Sequence, residues 1–244
     1  MGKEGEKNYL KEIGFDGVRH AANKPFSDVH CGDYLIAMGA FMSILPPPPR
    51  KILDLGCGSG WTSYFLAKRG YDVTGVDIAP DFITLARSNR DPLDNLRFEV
   101  ADYEALAYSE EFDAAIFFDS LHHAEDEALA LRRVYAALKP AGYCICSEPG
   151  KGHARAETSV QAVERFRVTE KDMPPRKIIR LARQAGFRRF KVYPAPGFVG
   201  GGIYNDVLPR GIQRILKPKI LRDAAKFLRL LLQKHRAAMV LLIK

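Results

Sequence analysis

Short apolar runs alternate with amphipathic segments through the middle of the chain. Five runs have the length and composition of strands: residues 51–55, 72–77, 96–102, 112–118 and 143–148. The segments between them predict helices at residues 60–70, 80–90 and 125–142. Strands that alternate with helices of this length predict an α/β domain with a mostly parallel sheet.

The pattern differs on either side of this middle part. Residues 33–45 are apolar on nearly every side and predict a buried helix, which the four prolines at 46–49 separate from the first strand. Beyond residue 150, the pattern predicts helices at 175–187 and 219–235. It also predicts two further strands, at 188–195 and 236–244.

The length of 244 residues and a hydrophobic content of 47% suit one folded domain with a sizeable core. No stretch of roughly 18 apolar residues marks a membrane span. The charged N-terminus lacks the apolar core of a secretory signal, so we expect a cytoplasmic protein. The four cysteines lack zinc-type spacing and are expected to be reduced.

The net charge of +8 is unevenly distributed. Residues 208–244 hold ten Lys or Arg and one acid, which leaves 27 Lys or Arg against 28 acids in the remainder. Within this basic segment, residues 219–235 predict an amphipathic helix with a basic face. Residues 208–235 could therefore attract an anionic acceptor or the inner membrane face. Thin aromatic interleaving makes nucleic acid the weaker alternative.

A glycine turn follows the first predicted strand. Gly56, Gly58 and Gly60 alternate with other residues, and Asp77 ends the second strand. Glycine lets a backbone approach a ligand closely, and a carboxylate after the next strand can accept hydrogen bonds from ribose hydroxyls. This much fits a nicotinamide dinucleotide and another adenosyl ligand equally well.

Three details separate these two readings. The spacing is G-x-G-x-G, whereas the dinucleotide fingerprint is G-x-G-x-x-G. Asp54 lies two residues before Gly56, where a carboxylate suits an ammonium group better than a pyrophosphate. Asp102 closes the third strand and could accept from an adenine amino group. Acids at the ends of three successive strands favour a cationic adenosyl ligand.

Several segments resemble the class I S-adenosylmethionine-dependent methyltransferases. They are "LDLGCGSG" from Leu53, "VTGVDIAP" from Val73, "VADYEAL" from Val100, "FDAAIFFDSLHHAED" from Phe112 and "LKPAGYCICSEPG" from Leu138. The resemblance implies a Rossmann-like fold, with a seven-stranded, mostly parallel sheet, helices on both faces and an antiparallel last strand. It also implies S-adenosylmethionine as methyl donor.

The resemblance also implies roles for individual residues. The methionine and ribose end of the donor would lie against Asp54, Gly56, Cys57, Gly58, Gly60 and Asp119. Asp77 would hold the ribose hydroxyls. Ile78, Asp102 and Tyr103 would border the adenine.

The candidate catalytic residues lie in loops that follow strands. They are His122 and His123 after the fourth strand, and Glu148 and His153 after the fifth. A neutral imidazole can take a proton from an attacking hydroxyl, although these histidines could equally shape the pocket without proton transfer. Asp119 and Glu148 could hold a divalent metal, but no further acid lies near them in the sequence, and we expect no metal.

We therefore expect a single methyltransferase domain over residues 1–244. It would comprise an N-terminal helical cap (1–49), a core (50–197), a basic helical insertion or lid (198–235) and the last strand (236–244). Tyr9, Phe26, Tyr34 and Phe41 are expected to form one wall of the pocket.

The expected reaction is methyl transfer to a small or carrier-linked anionic acceptor, at oxygen. A weaker resemblance to methyltransferases of surface-polysaccharide assembly favours a sugar hydroxyl. The alternatives are an RNA methyltransferase and a non-catalytic adenosyl-binding or membrane-associated scaffold subunit.

Overall fold

The computed structural model describes residues 2–89, 91–194 and 238–244, and these contain a seven-stranded sheet. The strands are β1 (Lys51–Leu55), β2 (Asp72–Asp77), β3 (Leu96–Val100), β4 (Phe112–Phe118), β5 (Leu138–Glu148), β6 (Arg189–Pro194) and β7 (Ala238–Ile243). Their order in the sheet is β3-β2-β1-β4-β5-β7-β6. Strands β1 to β5 run parallel to one another, and β7 is antiparallel to both β5 and β6. The predicted sheet and its antiparallel last strand are confirmed.

The described residues also form helices before, between and after the strands. They are α1 (Lys3–Glu12), α2 (Gly14–Ala22), α3 (Cys31–Ile44), α4 (Trp61–Lys68), α5 (Pro80–Ser88), α6 (Glu127–Ala137), α7 (Glu157–Phe166) and α8 (Pro175–Ala185). Two short 3-10 turns, Leu121–His123 and His153–Arg155, follow β4 and β5. The N-terminal part is helical, as expected for a cap.

Alternate residues of the central strands face opposite sides of the sheet. Leu53 and Phe117 belong to a core with residues of α6 and α8, whereas Ile52 and Ile116 belong to a core with residues of α3 and α4. This period-two burial on both faces explains why these strands read as continuous apolar runs. The helices therefore cover both faces and leave the strand ends for function.

The strand order reverses between β1 and β4. In open α/β sheets, ligands bind in the crevice beyond the carboxyl ends of the strands at this point. Here the glycine turn follows β1 and the histidine pair follows β4. Both groups therefore meet at one edge of the sheet.

Two sequence expectations are corrected by the structure. Strand β5 begins at Leu138, whereas the sequence predicted helix up to residue 142. Leu138 pairs with Phe112 across a register shift, so the Lys-Pro-Ala-Gly stretch bulges within the sheet. Phe41 is fully buried in the core and does not line a pocket wall, whereas Phe26 is 70% exposed.

None of the helices in the described part of the chain is both long and apolar enough to span a bilayer. The predicted basic lid at 198–235, with the membrane-contact segment 208–235, lies outside the described residues.

Removing the Phe41 side chain should test the core formed by α3. Phe41 packs edge-on against Phe118 at a ring separation of 5.5 Å. Phe41→Ala should lower the free energy of unfolding by about 3–5 kcal/mol through lost burial and a cavity. Urea unfolding measures this loss of stability. Phe15→Ala is the control: Phe15 is 81% exposed, so its removal should change the free energy of unfolding by no more than about 0.5 kcal/mol. Equal effects of the two variants would contradict the assignment.

Candidate active site

The three glycines of the turn all have positive φ angles, of 69°, 52° and 77°. A Cβ atom added to Gly56 would lie 2.6 Å from Cβ of Ser120, and one added to Gly60 would lie 2.5 Å from Phe98. A Cβ atom added to Gly58 would meet nothing within 4 Å. Gly56 and Gly60 are therefore required for packing, whereas the backbone at Gly58 faces open space that a ligand can fill.

Asp77 lies at the end of β2 beside this open turn. Its Oδ2 atom accepts a hydrogen bond from the Gly58 amide at 2.8 Å, and Oδ1 accepts one from the Ala79 amide at 2.9 Å. Burial raises the pKa of the Asp77 carboxyl, and the two amide bonds oppose this rise. Each oxygen accepts one of these bonds and keeps capacity for a further donor.

Asp54 is buried beneath the turn rather than in the open space. Its Oδ2 atom accepts hydrogen bonds from the hydroxyls of Thr62 at 2.5 Å and Ser63 at 2.6 Å, at the start of α4. Burial raises its pKa to about 6, against the effect of the two hydroxyl donors. Asp54 therefore fixes the first turn of α4 and adds negative charge under the glycines.

Two further predicted donor residues, Cys57 and Ile78, differ in burial. The side chain of Cys57 is buried in a small core with Ile83 and Phe98, so only its backbone can face a ligand. Ile78 is half-buried at the edge of the sheet.

Asp102 and Tyr103 follow β3, and helix α1 covers Asp102. Lys3 Nζ lies 2.7 Å from Asp102 Oδ2 and 3.1 Å from Glu104 Oε2. Burial acts to lower the pKa of Lys3, but the two carboxylates outweigh it and raise that pKa. The Tyr103 hydroxyl donates to the Ser120 carbonyl at 3.1 Å. Any ligand amine that uses Asp102 must therefore share it with Lys3.

Glu148, at the end of β5, organises the turn after β4. Its carboxylate accepts hydrogen bonds from the backbone amides of Ser120 at 3.2 Å, Leu121 at 2.8 Å and His122 at 3.3 Å. Burial raises its pKa to about 7, although the amide donors oppose that rise. The Ser120 hydroxyl donates to the Leu55 carbonyl at 2.6 Å. Glu148 is thus a buried positioning group, out of reach of solvent.

His122 is oriented by Glu148. Its Nδ1 atom lies 2.8 Å from Glu148 Oε2, and Asp119 Oδ1 lies 4.0 Å from the same nitrogen. Burial lowers the pKa of the His122 ring to about 3, so the ring is neutral. A neutral ring with its proton on Nδ1, donated to Glu148, leaves Nε2 as an acceptor. Nε2 lies 3.6 Å from Oε2 of Glu170.

The rings of His123 and His153 both lie close to the ring of His122. The His122 ring centroid is 4.0 Å from that of His123 and 5.0 Å from that of His153. Burial acts to lower the pKa of His123, but Glu6, Glu170 and the Thr169 carbonyl raise it to about 9. The hydrogen bond of His153 Nε2 to Glu170 Oε2, at 2.6 Å, raises the pKa of His153. We call the three histidines and Glu170 the histidine cluster.

Sequence reasoning missed Glu170 and Glu6. Glu170 lies in the loop between α7 and α8, which is held in place by Lys171 Nζ donating to the Ala124 carbonyl at 2.7 Å. Glu6, on α1, accepts from the Thr169 amide at 2.8 Å. Glu6 belongs to no periodic pattern or motif. Glu170 lies in "TEKDMPP" (Thr169–Pro175), a segment of the weaker resemblance that assigns it no role, so only tertiary contact reveals where the two acids lie.

The structure thus brings the predicted residues together in two groups at one edge of the sheet. The first group surrounds the open turn and consists of Gly56, Gly58, Gly60, Asp54, Asp77, Asp102 and Tyr103. The second consists of Asp119, His122, His123, Glu148 and His153. Ser120 joins the groups, since it contacts Gly56 and starts the turn that carries the histidines.

The raised pKa of Asp54 predicts a specific pH dependence of stability. Because the folded-state pKa is about 6 and the unfolded value about 3.8, the folded state binds the proton more tightly. The stability of the native chain relative to Asp54→Asn should therefore fall by about 2 kcal/mol between pH 4 and pH 7. Urea unfolding at several pH values measures this difference. Parallel stability curves for the two chains would contradict it.

Comparisons with known proteins support the fold and the domain type. Residues 52–142 match a family model described as "Methyltransferase domain". The chain is 30% identical over 148 residues to a ubiquinone biosynthesis O-methyltransferase of Hydrogenovibrio crunogenus, covering 56% of this chain and 61% of the relative. Matches to further ubiquinone biosynthesis O-methyltransferases cover 40–60% of those proteins. The chain therefore spans about half the length of the curated relatives that it matches.

Two solved structures share the fold. Phosphoethanolamine N-methyltransferase 2 of Haemonchus contortus, in complex with S-adenosyl-L-methionine, has a TM-score of 0.68 and 18% identity, covering 98% of this chain and 59% of that one. A methyltransferase of Thermotoga maritima, described as a possible histamine N-methyltransferase, has a TM-score of 0.62 and 17% identity, with both chains covered fully. The sheet order, the glycine turn and the family match agree: residues 52–142 are similar to a methyltransferase domain, and the described residues share the fold of these two methyltransferases.

Proposed function

We propose that the protein transfers a methyl group from S-adenosylmethionine to an oxygen atom of a small acceptor. The observation that carries the proposal is the open space at Gly58, which lies beside Asp77. The glycine turn and the turn that carries the histidines are adjacent, because Ser120 contacts Gly56 and bonds to the Leu55 carbonyl. This arrangement offers one place for an adenosyl donor and an adjacent place for an acceptor. The family match over residues 52–142 supports methyl transfer but does not indicate the acceptor atom.

The residues around the turn fit this donor. The donor would lie along Gly58, with its ribose hydroxyls on Asp77, whose carboxylate oxygens retain acceptor capacity. Asp54 below the turn and Asp119 beside it place negative charge near the sulfonium and ammonium groups. When bound, the donor supplies an activated methyl group, so the protein mainly has to orient the two reactants.

The acceptor would lie at the histidine cluster. Four carboxylates surround the three rings within 4.0 Å: those of Glu6, Asp119, Glu148 and Glu170. This excess of acids disfavours an anionic group at the reacting end, so any phosphate of a carrier-linked acceptor would lie further out. We therefore propose that the reacting end is an uncharged hydroxyl.

The choice of oxygen rests on the relatives named above, which are described as O-methyltransferases. None of them is described as acting on a sugar, so the sugar hydroxyl stays a prediction.

We also propose the single-domain organisation and the cytoplasmic location expected from the sequence. An RNA acceptor is the alternative that the basic segment suggests, and that segment lies outside the described residues.

Replacing Asp77 should weaken donor binding. Asp77→Ala removes the acceptor for the ribose hydroxyls and should weaken S-adenosylhomocysteine binding at least about tenfold, as expected for charge-assisted hydrogen bonds. Titration calorimetry measures this effect. Asp72→Ala, at the opposite end of the same strand, is the matched control and should bind as the native chain does. Unchanged binding in Asp77→Ala would contradict the proposed donor site.

A panel of acceptors should separate the proposed reaction from its alternatives. Aromatic alcohols and sugars should stimulate release of S-adenosylhomocysteine and yield O-methyl products by mass spectrometry. Amines and RNA are the competing acceptors in the same assay. Methylation of amines or RNA alone would overturn the oxygen assignment, and binding of the donor with no product from any acceptor would favour a scaffold subunit.

A further inference from the structure

We propose that His122, His123 and Glu170 form a binding site for one divalent transition-metal ion, with Zn²⁺ as the best-suited ion. One ligand atom from each of the three residues lies within 4.8 Å of the others. The distance from His122 Nε2 to Glu170 Oε2 is 3.6 Å. Ligands about 2.0–2.1 Å from a tetrahedral Zn²⁺ lie about 3.3 Å from one another. The His122–Glu170 pair is therefore close to that separation, and the other pairs, which lie within 4.8 Å, would have to approach by no more than about 1.5 Å.

The orientation of the two rings is a second, independent observation. A histidine that binds a metal donates its other ring N–H to a carboxylate or a backbone carbonyl. Nδ1 of His122 is hydrogen-bonded to Glu148 Oε2 at 2.8 Å, and Nδ1 of His123 to the Thr169 carbonyl at 2.7 Å. Nδ1 is engaged in both rings, which leaves Nε2 as the ligand atom of each ring once a metal displaces any proton on it.

The carboxylate ligand is also held in place. His153 Nε2 donates to Glu170 Oε2 at 2.6 Å and fixes the carboxylate beside the two rings. A second group of possible ligands, Asp119, His122 and Glu148, shares His122. In that group, Glu148 already accepts three backbone amides and the His122 ring, so it acts as the outer support of the site.

Charge and access also favour a cation. The acids around the cluster outnumber its histidines, which concentrates negative potential at this point. His122 is buried, but the side chains of His123, His153 and Asp119 are 29%, 27% and 46% exposed and form the entrance. The family match and the relatives named above indicate no metal, so the site would be a property of this chain's own residues.

Two histidines and one carboxylate leave a fourth position open, as in catalytic zinc sites. In the methyl transfer proposed above, on which this role rests, the acceptor oxygen would occupy that position. The ion would lower the pKa of the acceptor hydroxyl, whose proton would pass to water at the exposed entrance. The oxygen would then bond to the methyl carbon as the bond from that carbon to the donor sulfur breaks, which releases S-adenosylhomocysteine. Metal binding itself does not depend on that reaction and can be measured without donor or acceptor.

Metal titration of the untagged, full-length protein tests the site. After treatment with a chelator and its removal, Zn²⁺ is titrated by calorimetry, and Co²⁺ is followed by its visible absorption. We expect one equivalent to bind to the native chain and at least about 100-fold weaker binding to His122→Gln and to Glu170→Gln. Glu148→Gln, which changes only the outer support, should weaken binding about 10–100-fold. His20→Gln, at a half-exposed position on α2, is the matched control and should bind as the native chain does.

Circular dichroism and thermal unfolding show which variants are folded. If His122→Gln does not fold, Glu170→Gln, whose substitution lies in a loop, carries the test. Saturating Zn²⁺ should raise the Tm of the native chain but not that of Glu170→Gln. The absence of stoichiometric binding to the folded native chain would overturn the proposal and leave an ion-pair network. Equal binding by the native chain and both ligand variants would overturn it as well, because the ion would then bind elsewhere.

Discussion

The buried carboxylate of Glu148 is the interaction on which the candidate site depends. A carboxylate removed from water is tolerated only when its oxygens are fully hydrogen-bonded. Here three backbone amides of the turn after β4 and the ring of His122 provide those bonds. The same turn begins at Ser120, whose side chain packs against Gly56. The end of β5 therefore holds both the histidine pair and the turn that packs against Gly56.

Helix α1 contributes a second constraint from far away in the sequence. Lys3 pairs with Asp102 on the donor side, whereas Glu6 lies 3.4 Å from His123 on the acceptor side. One helix thus contacts both halves of the site and covers the edge of the sheet between them. Movement of α1 would therefore alter the contacts of Asp102 and of His123 together.

Much of the fold could be predicted from the sequence because its signals are local. Apolar runs marked the strands, and the parallel order placed Gly58 and Asp77 at one edge, since parallel strands end on the same side. The start of β5 was placed wrongly because Pro140 and Gly142 resemble a helix end, whereas Leu138 pairs with Phe112 across a bulge.

The acceptor side could be predicted only in part. The His-His pair and Glu148 were visible as polar residues after strands, but their contact with each other was not. Glu170 reaches the cluster through a loop held by Lys171, and no periodicity records such a contact. The ion pair of Lys3 with Asp102 was missed for the same reason. Side chains that meet through loops and terminal helices depend on tertiary structure alone.

A crystal structure of the protein with S-adenosylhomocysteine tests the central claim most directly. The account predicts the ligand along Gly58, its ribose hydroxyls on Asp77, and its sulfur directed toward the rings of His122 and His123. A ligand bound away from the glycine turn, or a sulfur directed away from the histidine cluster, would contradict it.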